Sequence, residues 1–201
     1  MRTTAVGRAV AAVAVGLTAC TATVAGTASP GGPPDLEAAL SVPLSGFRPV
    51  DPPPPPWQLC TTARGTRAPL LDPALGEPVA VGYTSESTTL HAYAWATSAP
   101  MVAEAILGQA VMEVPDCASA PPSTDAGPGA AIVRSVDDWT GSGWTGVRIR
   151  TEVSGPDPAV TETRLVRSDD VVVLVVLAAE GGDPALPPVD DFLAAVADRL
   201  G

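Results

Sequence analysis

Apolar positions recur along the chain with two different periods, and the change of period marks the elements. Residues 88–97 alternate: Leu90, Ala92, Ala94 and Ala96 fall on one side, His91, Tyr93, Trp95 and Thr97 on the other. A period of two predicts a strand, and residues 77–83, reached across Thr84-Ser85-Glu86-Ser87, predict its hairpin partner. The small residues on one side of that strand would let a helix approach closely. Residues 147–153 alternate in the same way, Val147, Ile149, Thr151 and Val153 against Arg148, Arg150 and Glu152, as a half-buried antiparallel strand does. Ser154-Gly155-Pro156-Asp157-Pro158 turns the chain into a return strand over 160–167, and Ser168-Asp169-Asp170 turns it again. Residues 171–177 are apolar at every position, which predicts a central strand covered on both faces. Residues 131–136 predict one more strand, followed by a glycine-rich loop over 137–146.

Two stretches switch to the helical period. Ser98 suits an N-cap and Pro100 the first turn of a helix over 101–112, with Met101, Val102, Ala105, Ile106, Ala110 and Val111 as its buried stripe and Pro115 as its stop. A loop over 118–129 follows. The last helix begins at Pro188, with Asp190 and Asp191 near the positive end of its dipole and Arg199 near the negative end. Val189, Phe192, Leu193, Val196 and Leu200 form its apolar face. Strand pair, helix, antiparallel strands and helix make an α+β fold: an antiparallel β-sheet with two main helices packed on it.

The N-terminus obeys a different grammar. Arg2 and Arg8 precede a run of Ala and Val over 9–17 that closes on Leu17-Thr18-Ala19-Cys20. A basic start, an apolar run and small residues form a secretory signal, and the final four residues resemble a bacterial lipobox. That resemblance implies cleavage before Cys20 and a diacylglyceryl group on its thiol, placing the protein on the extracytoplasmic face of the cell membrane. The apolar run is shorter than the roughly 20 residues of a spanning helix. An ordinary secreted protein cut after Ala28 is the alternative. Residues 1–19 then form the signal peptide and 20–56 a lipidated, proline-rich tether. In the tether, 35–44 has room for one or two helical turns, and Pro52 to Pro56 would extend as polyproline II. Residues 57–201 form a single domain.

With Cys20 set aside, Cys60 and Cys117 are an even pair in an exported domain, most simply a disulfide. Closing that loop contributes roughly 4 kcal/mol on a chain-entropy view. A redox or metal pair is the alternative, although the spacing is far from Cys-x-x-Cys. Losing Arg2 and Arg8 with the signal moves the net charge from −11 to −13. That acidity argues against nucleic acid as a partner and against electrostatic attraction to anionic lipid.

Catalytic constellations are hard to assemble. Gly141-Ser142-Gly143 is flanked by Thr140 and Trp144, where a nucleophile elbow needs glycine. His91 is the sole histidine, on a strand beside Tyr93 and Trp95. The pairs Asp137-Asp138, Asp169-Asp170 and Asp190-Asp191 sit at predicted turns or a helix start, which favour Asp for local reasons. No metal, cofactor or catalytic residue is therefore expected. Arg148, Arg150 and Glu152 would face Glu162 and Arg164, as an anion site or as cross-strand ion pairs on a solvated face. With two Phe and two Tyr in the chain, the four tryptophans carry most of the aromatic surface. Trp95, Trp139 and Trp144, with His91, are the candidates for ligand contact, the alternative being a place in the core.

A lipobox, a Pro-rich tether, Trp57-Gln58-Leu59-Cys60, a strand–helix unit ending in Asp116-Cys117, a tryptophan-containing turn, the run Asp170-Val171-Val172-Val173-Leu174-Val175-Val176 and a terminal amphipathic helix follow one another. This layout resembles the extracellular sensor domains of mycobacterial Ser/Thr protein kinases and the actinobacterial lipoproteins similar to them. Those kinase domains carry two disulfides; this chain has cysteines for one. The resemblance implies an antiparallel sheet with helices and a cleft for a small ligand, and no catalytic residue. The expected function is an anchored domain that binds a small molecule or an envelope protein. An accessory protein of a membrane complex, a lipid carrier and an envelope hydrolase are the alternatives.

Overall fold

The computed structural model describes residues 34–56, 58–61, 67–69, 75–118, 131–181 and 187–201. The expected signal, Cys20 and Trp57 lie outside the described residues, as do the side chains of Cys60 and Cys117. In chain order the elements are α1 (Leu36–Leu40), β1 (Arg48–Val50), β2 (Gln58–Thr61), β3 (Arg67–Pro69), β4 (Val79–Thr84), β5 (Thr88–Ala96), α2 (Pro100–Ala118), β6 (Ala131–Gly141), β7 (Trp144–Ser154), β8 (Ala159–Ser168), β9 (Val171–Glu180) and α3 (Pro187–Leu200). Seven strands form one antiparallel sheet in the order β1-β4-β5-β9-β8-β7-β6, and β2 pairs with β3.

The uninterrupted apolar run of β9 sits mid-sheet, bonded to β5 on one side and β8 on the other. Val171, Val173, Val175, Leu177 and Ala179 pack with α1 and α3, whereas Val172 and Leu174 pack with α2. A strand apolar at both sets of positions is stable only when both faces leave water. The two main helices therefore lie on opposite faces, making three layers. On β5, Leu90, Ala92 and Ala94 join the α3 side and Tyr93 and Trp95 the α2 side. In α3, Val189, Phe192, Leu193 and Val196 are buried as their spacing predicts.

Three expectations are corrected. Residues 36–42, read as part of a tether, belong to the core. Asp35 caps α1 by accepting from the Ala38 N–H at 3.0 Å, and Leu36, Ala39 and Leu40 are buried. The Tyr83 hydroxyl donates to the Leu40 carbonyl (3.0 Å), and Arg199 of α3 donates to the carbonyls of Ala38 (2.8 Å) and Ser41 (2.6 Å). β1 then pairs with β4, and the Tyr93 hydroxyl donates to the Pro53 carbonyl at 2.9 Å. One helical turn between prolines has too little period to stand out from a linker.

The stripe of α2 is Ala103, Ile106, Leu107 and Ala110: Ile106 and Ala110 stand where expected, whereas Met101, Val102, Ala105 and Val111 of the expected stripe are exposed, as is Met112. The helix is apolar nearly all round, so its pattern selects no face; the sheet accepts the face whose alanines permit close approach. It runs through Pro115 to Ala118.

The loop expected over 137–146 is a hairpin instead. β6 reaches Gly141, β7 starts at Trp144, and Ser142 (φ 50°) with Gly143 (φ 80°) makes the turn. Two successive positive φ values suit the right-handed twist of flanking strands.

Because Leu40 is wholly buried, Leu40→Ala should lower the stability of the full chain by about 2–5 kcal/mol in a urea titration. A tether residue would leave the midpoint unchanged.

Candidate functional site

The four residues singled out for ligand contact do not converge. His91 and Trp95 stand on β5 toward α2; Trp139 on β6 and Trp144 on β7 stand toward α3. Trp144 is 1% exposed and its indole N–H donates to the Leu193 carbonyl at 2.9 Å, fastening β7 to α3. Trp95 is 3% exposed and donates to the Gly76 carbonyl at 3.2 Å. Both are core residues rather than cleft walls, each with its polar edge satisfied. Trp139 is half-buried, its ring lying against the Gly141 backbone, where an added Cβ would come within 2.8 Å of the indole. His91 is half-buried, and desolvation pushes its pKa below the usual histidine value.

Beside Trp139 the α3 face carries a cluster of charge. The register places Arg148 opposite Arg164 and Arg150 opposite Glu162. Arg164 is 2% exposed and Glu162 1%. The Arg164 Nε donates to Glu162 Oε1 and its Nη1 to Asp190 Oδ1, both at 2.5 Å, and the guanidinium carbon lies 4.6 Å from the Trp139 ring centroid. One cation thus joins β8, the first turn of α3 and β6. Arg150 donates to Glu152 at 2.6 Å and its Nη1 stands 4.0 Å from Glu162 Oε2. Arg148 pairs with Asp137 at 3.2 Å. Of the expected pairing across β7 and β8, the Arg150–Glu162 approach at 4.0 Å is what forms; the shorter Arg150–Glu152 and Arg164–Glu162 pairs each lie within one strand, and Glu162 and Arg164 are buried rather than on a solvated face. Removing two charges from water is costly, and the attraction offsets it only where geometry and added hydrogen bonds are good. The cluster is built to hold the fold, since its central cation is already paired twice.

A concave feature lies at the opposite edge of the sheet. The segment joining α1 to β1 arches over β4 and leaves a groove of about 520 Å³. Val42, Leu44, Phe47, Val50 and Val81 make it apolar, with Asp51 and Ser41 as its polar residues. The Tyr83 hydroxyl nearby is held to Leu40, and burial pushes its pKa up, keeping it a neutral donor. Gly82 lets β1 lie close against β4, because a Cβ there would stand 2.7 Å from the Val50 carbonyl oxygen. Sequence reasoning missed this groove, since its walls come from the segment taken for tether. The spacing of Leu36, Ala39 and Leu40 was the available signal.

Among the described residues no cluster of His, Cys, Asp and Glu is placed to hold a metal ion, and no helix is long and apolar enough to cross a membrane. Ser142 occupies the exposed hairpin turn, and Asp169 and Asp170 the β8–β9 turn. Compared with known proteins, the chain matches no family model and no curated sequence.

Two outcomes follow from this geometry. Glu162→Ala leaves the buried Arg164 with one partner and should cost about 3–5 kcal/mol in denaturant titration; replacing Glu162 by Leu and Arg164 by Met together should recover most of it. His91 binds its proton more weakly folded than unfolded, so the unfolded chain takes up more protons as pH falls below the ordinary value of 6.5. Stability should therefore decline on acidification through that window, and His91→Gln should flatten that limb of a melting-temperature profile.

Proposed function

We propose that this protein is an extracytoplasmic lipoprotein, held to the cell membrane by a diacylglyceryl group on Cys20, whose domain binds a small apolar or amphipathic molecule without transforming it. The groove between the α1–β1 segment and β4 carries this reading. Its volume and apolar walls with few polar groups are those of small-molecule sites. A lipid anchor is consistent with Leu17-Thr18-Ala19-Cys20 closing a short apolar run. The groove sits on the first elements after the tether, the part of the domain closest in sequence to the anchor. A sensor-like role, with kinship to the kinase sensor domains, belongs to the same proposal.

A second reading, an accessory protein of an envelope complex, is favoured by the outer side of α2. Met101 is 70% exposed and Met112 76%, with Val102 and Val111 beside them. Exposed apolar patches on soluble domains mark contact surfaces.

A native mass spectrum of the full-length protein extracted from its host membranes tests the first reading. It should show diacylglyceryl on Cys20 and a retained small molecule. Leu44→Asp should lose the molecule while the circular dichroism spectrum is unchanged, and Cys20→Ala should lose membrane association. An unmodified chain in the medium, or an adduct indifferent to Leu44→Asp, would overturn it. If Met101→Glu and Met112→Glu strip a bound protein and no small molecule is found, the accessory reading takes its place.

A further inference from the structure

The sheet has two edges, and they differ. β1 at one edge is three residues long and contains Pro49, the usual protection against further pairing. β6 at the other runs eleven residues without proline, and among the described residues it pairs with β7 alone. The turn at Ser142-Gly143 makes Gly141 and Trp144 the first mutually bonded pair of the hairpin. Bonded pairs recur at every second residue, so the odd-numbered residues of β6 bond to β7. The even-numbered residues, Ile132, Arg134, Val136, Asp138 and Thr140, direct their N–H and C=O groups away from the sheet.

We propose that this edge pairs with the same edge of a second copy of the chain, antiparallel about a two-fold axis at Val136, joining two sheets into one. The side chains of β6 are complementary to themselves about that residue and about no other nearby. Two residues from Val136 on either side stand Arg134 and Asp138, so each copy sets an arginine opposite an aspartate of the other. Three residues away stand Val133, 62% exposed, and Trp139, which then meet as an apolar–aromatic pair. Between them Ser135 meets Asp137, a hydroxyl donor facing a carboxylate. Pairs related this way lie on one face of the sheet, as strand pairing demands. A centre at Ser135 instead sets Val133 against Asp137 and Ile132 against Asp138; centres at Arg134, Asp137 or Asp138 set like charges face to face. Arg134 donates from Nε to Thr151 Oγ1 at 3.3 Å, and a guanidinium has five donors, so both contacts are compatible. Charges that served only to repel other strands would not be arranged symmetrically with opposite sign. This pairing is independent of the groove and of the anchor.

Cysteine cross-linking of the full chain, in whichever fraction of its host it is found, tests it. Bonded antiparallel partners have Cα atoms about 5.5 Å apart, within disulfide range, so Val136→Cys should give a dimer under mild oxidation above the background of the native cysteines. Val133→Cys should not, because the two copies of residue 133 would stand about 20 Å apart along the strands. Asp138→Arg added to Val136→Cys should return the dimer to background, and Arg134→Asp added in turn should restore it. Absence of a dimer with Val136→Cys, equal cross-linking with Val133→Cys, or failure of the charge swap to restore it would each overturn the proposal.

Discussion

The architecture depends on the dehydration of one strand. β9 presents Val, Leu or Ala at every position from Val171 to Ala179. At roughly 25 cal/mol per Å² of apolar surface, no arrangement that leaves one of its faces in water competes with one that covers both. The rest follows in sequence. β9 takes the centre, the main helices go to opposite faces, and the four-strand meander β6 to β9 places β6 at one edge while the β4–β5 hairpin builds outward to the other. The two features with functional promise, the groove and the β6 edge, lie at the two ends that this central strand leaves.

The α3 face contains the one costly concession. Glu162 and Arg164 lie on β8 between Val160 and Val166, where apolar side chains would serve the core better, yet both are buried. Their burial is tolerated because the guanidinium is paired with two carboxylates and lies over an indole face, which together replace much of its lost hydration. The arrangement also has directional content that an apolar patch lacks. It requires Asp190 at the start of α3 to meet β8, so it fixes where that helix begins. The Trp144 indole bond to Leu193 fixes the same helix in its middle, and Arg199 binds its end to α1. α3 is thus held at three points by polar groups of defined geometry, and the groove borders the α1 segment that the last of them secures.

The α2 face is held differently. The helix packs there through Ala103, Ile106, Leu107 and Ala110 against Tyr93, Trp95 and Leu174, and the hydrogen bonds of Tyr93 and Trp95 on this face go to Pro53 and Gly76 rather than to α2. The outer side of α2 remains apolar, so the two faces of the sheet have unlike chemistry: ionic and aromatic restraint on one, an oily helix on the other.

The central strand, the alternating hairpins and the terminal helix are legible in the sequence, because each depends on a local period that burial then enforces. Val171 to Leu177 cannot be solvated, and the face of α3 is unambiguous. The membership of α1 and β1 is not legible, since a five-residue helix between prolines carries too little period and its stability comes from Tyr83 and Arg199, both distant in sequence. The stripe of α2 is not legible either, because a helix apolar all round has no preferred side until a sheet selects one. The tryptophans show the same division. Their number and their positions on strands are set by sequence, but whether an indole lines a cleft or fills the core depends on whether a carbonyl such as that of Leu193 stands within reach of its N–H. The sequence by itself determines which surfaces must leave water; only the tertiary structure decides which partner covers each, because burial is non-directional and the choice among apolar partners is made by shape and by the few buried hydrogen bonds.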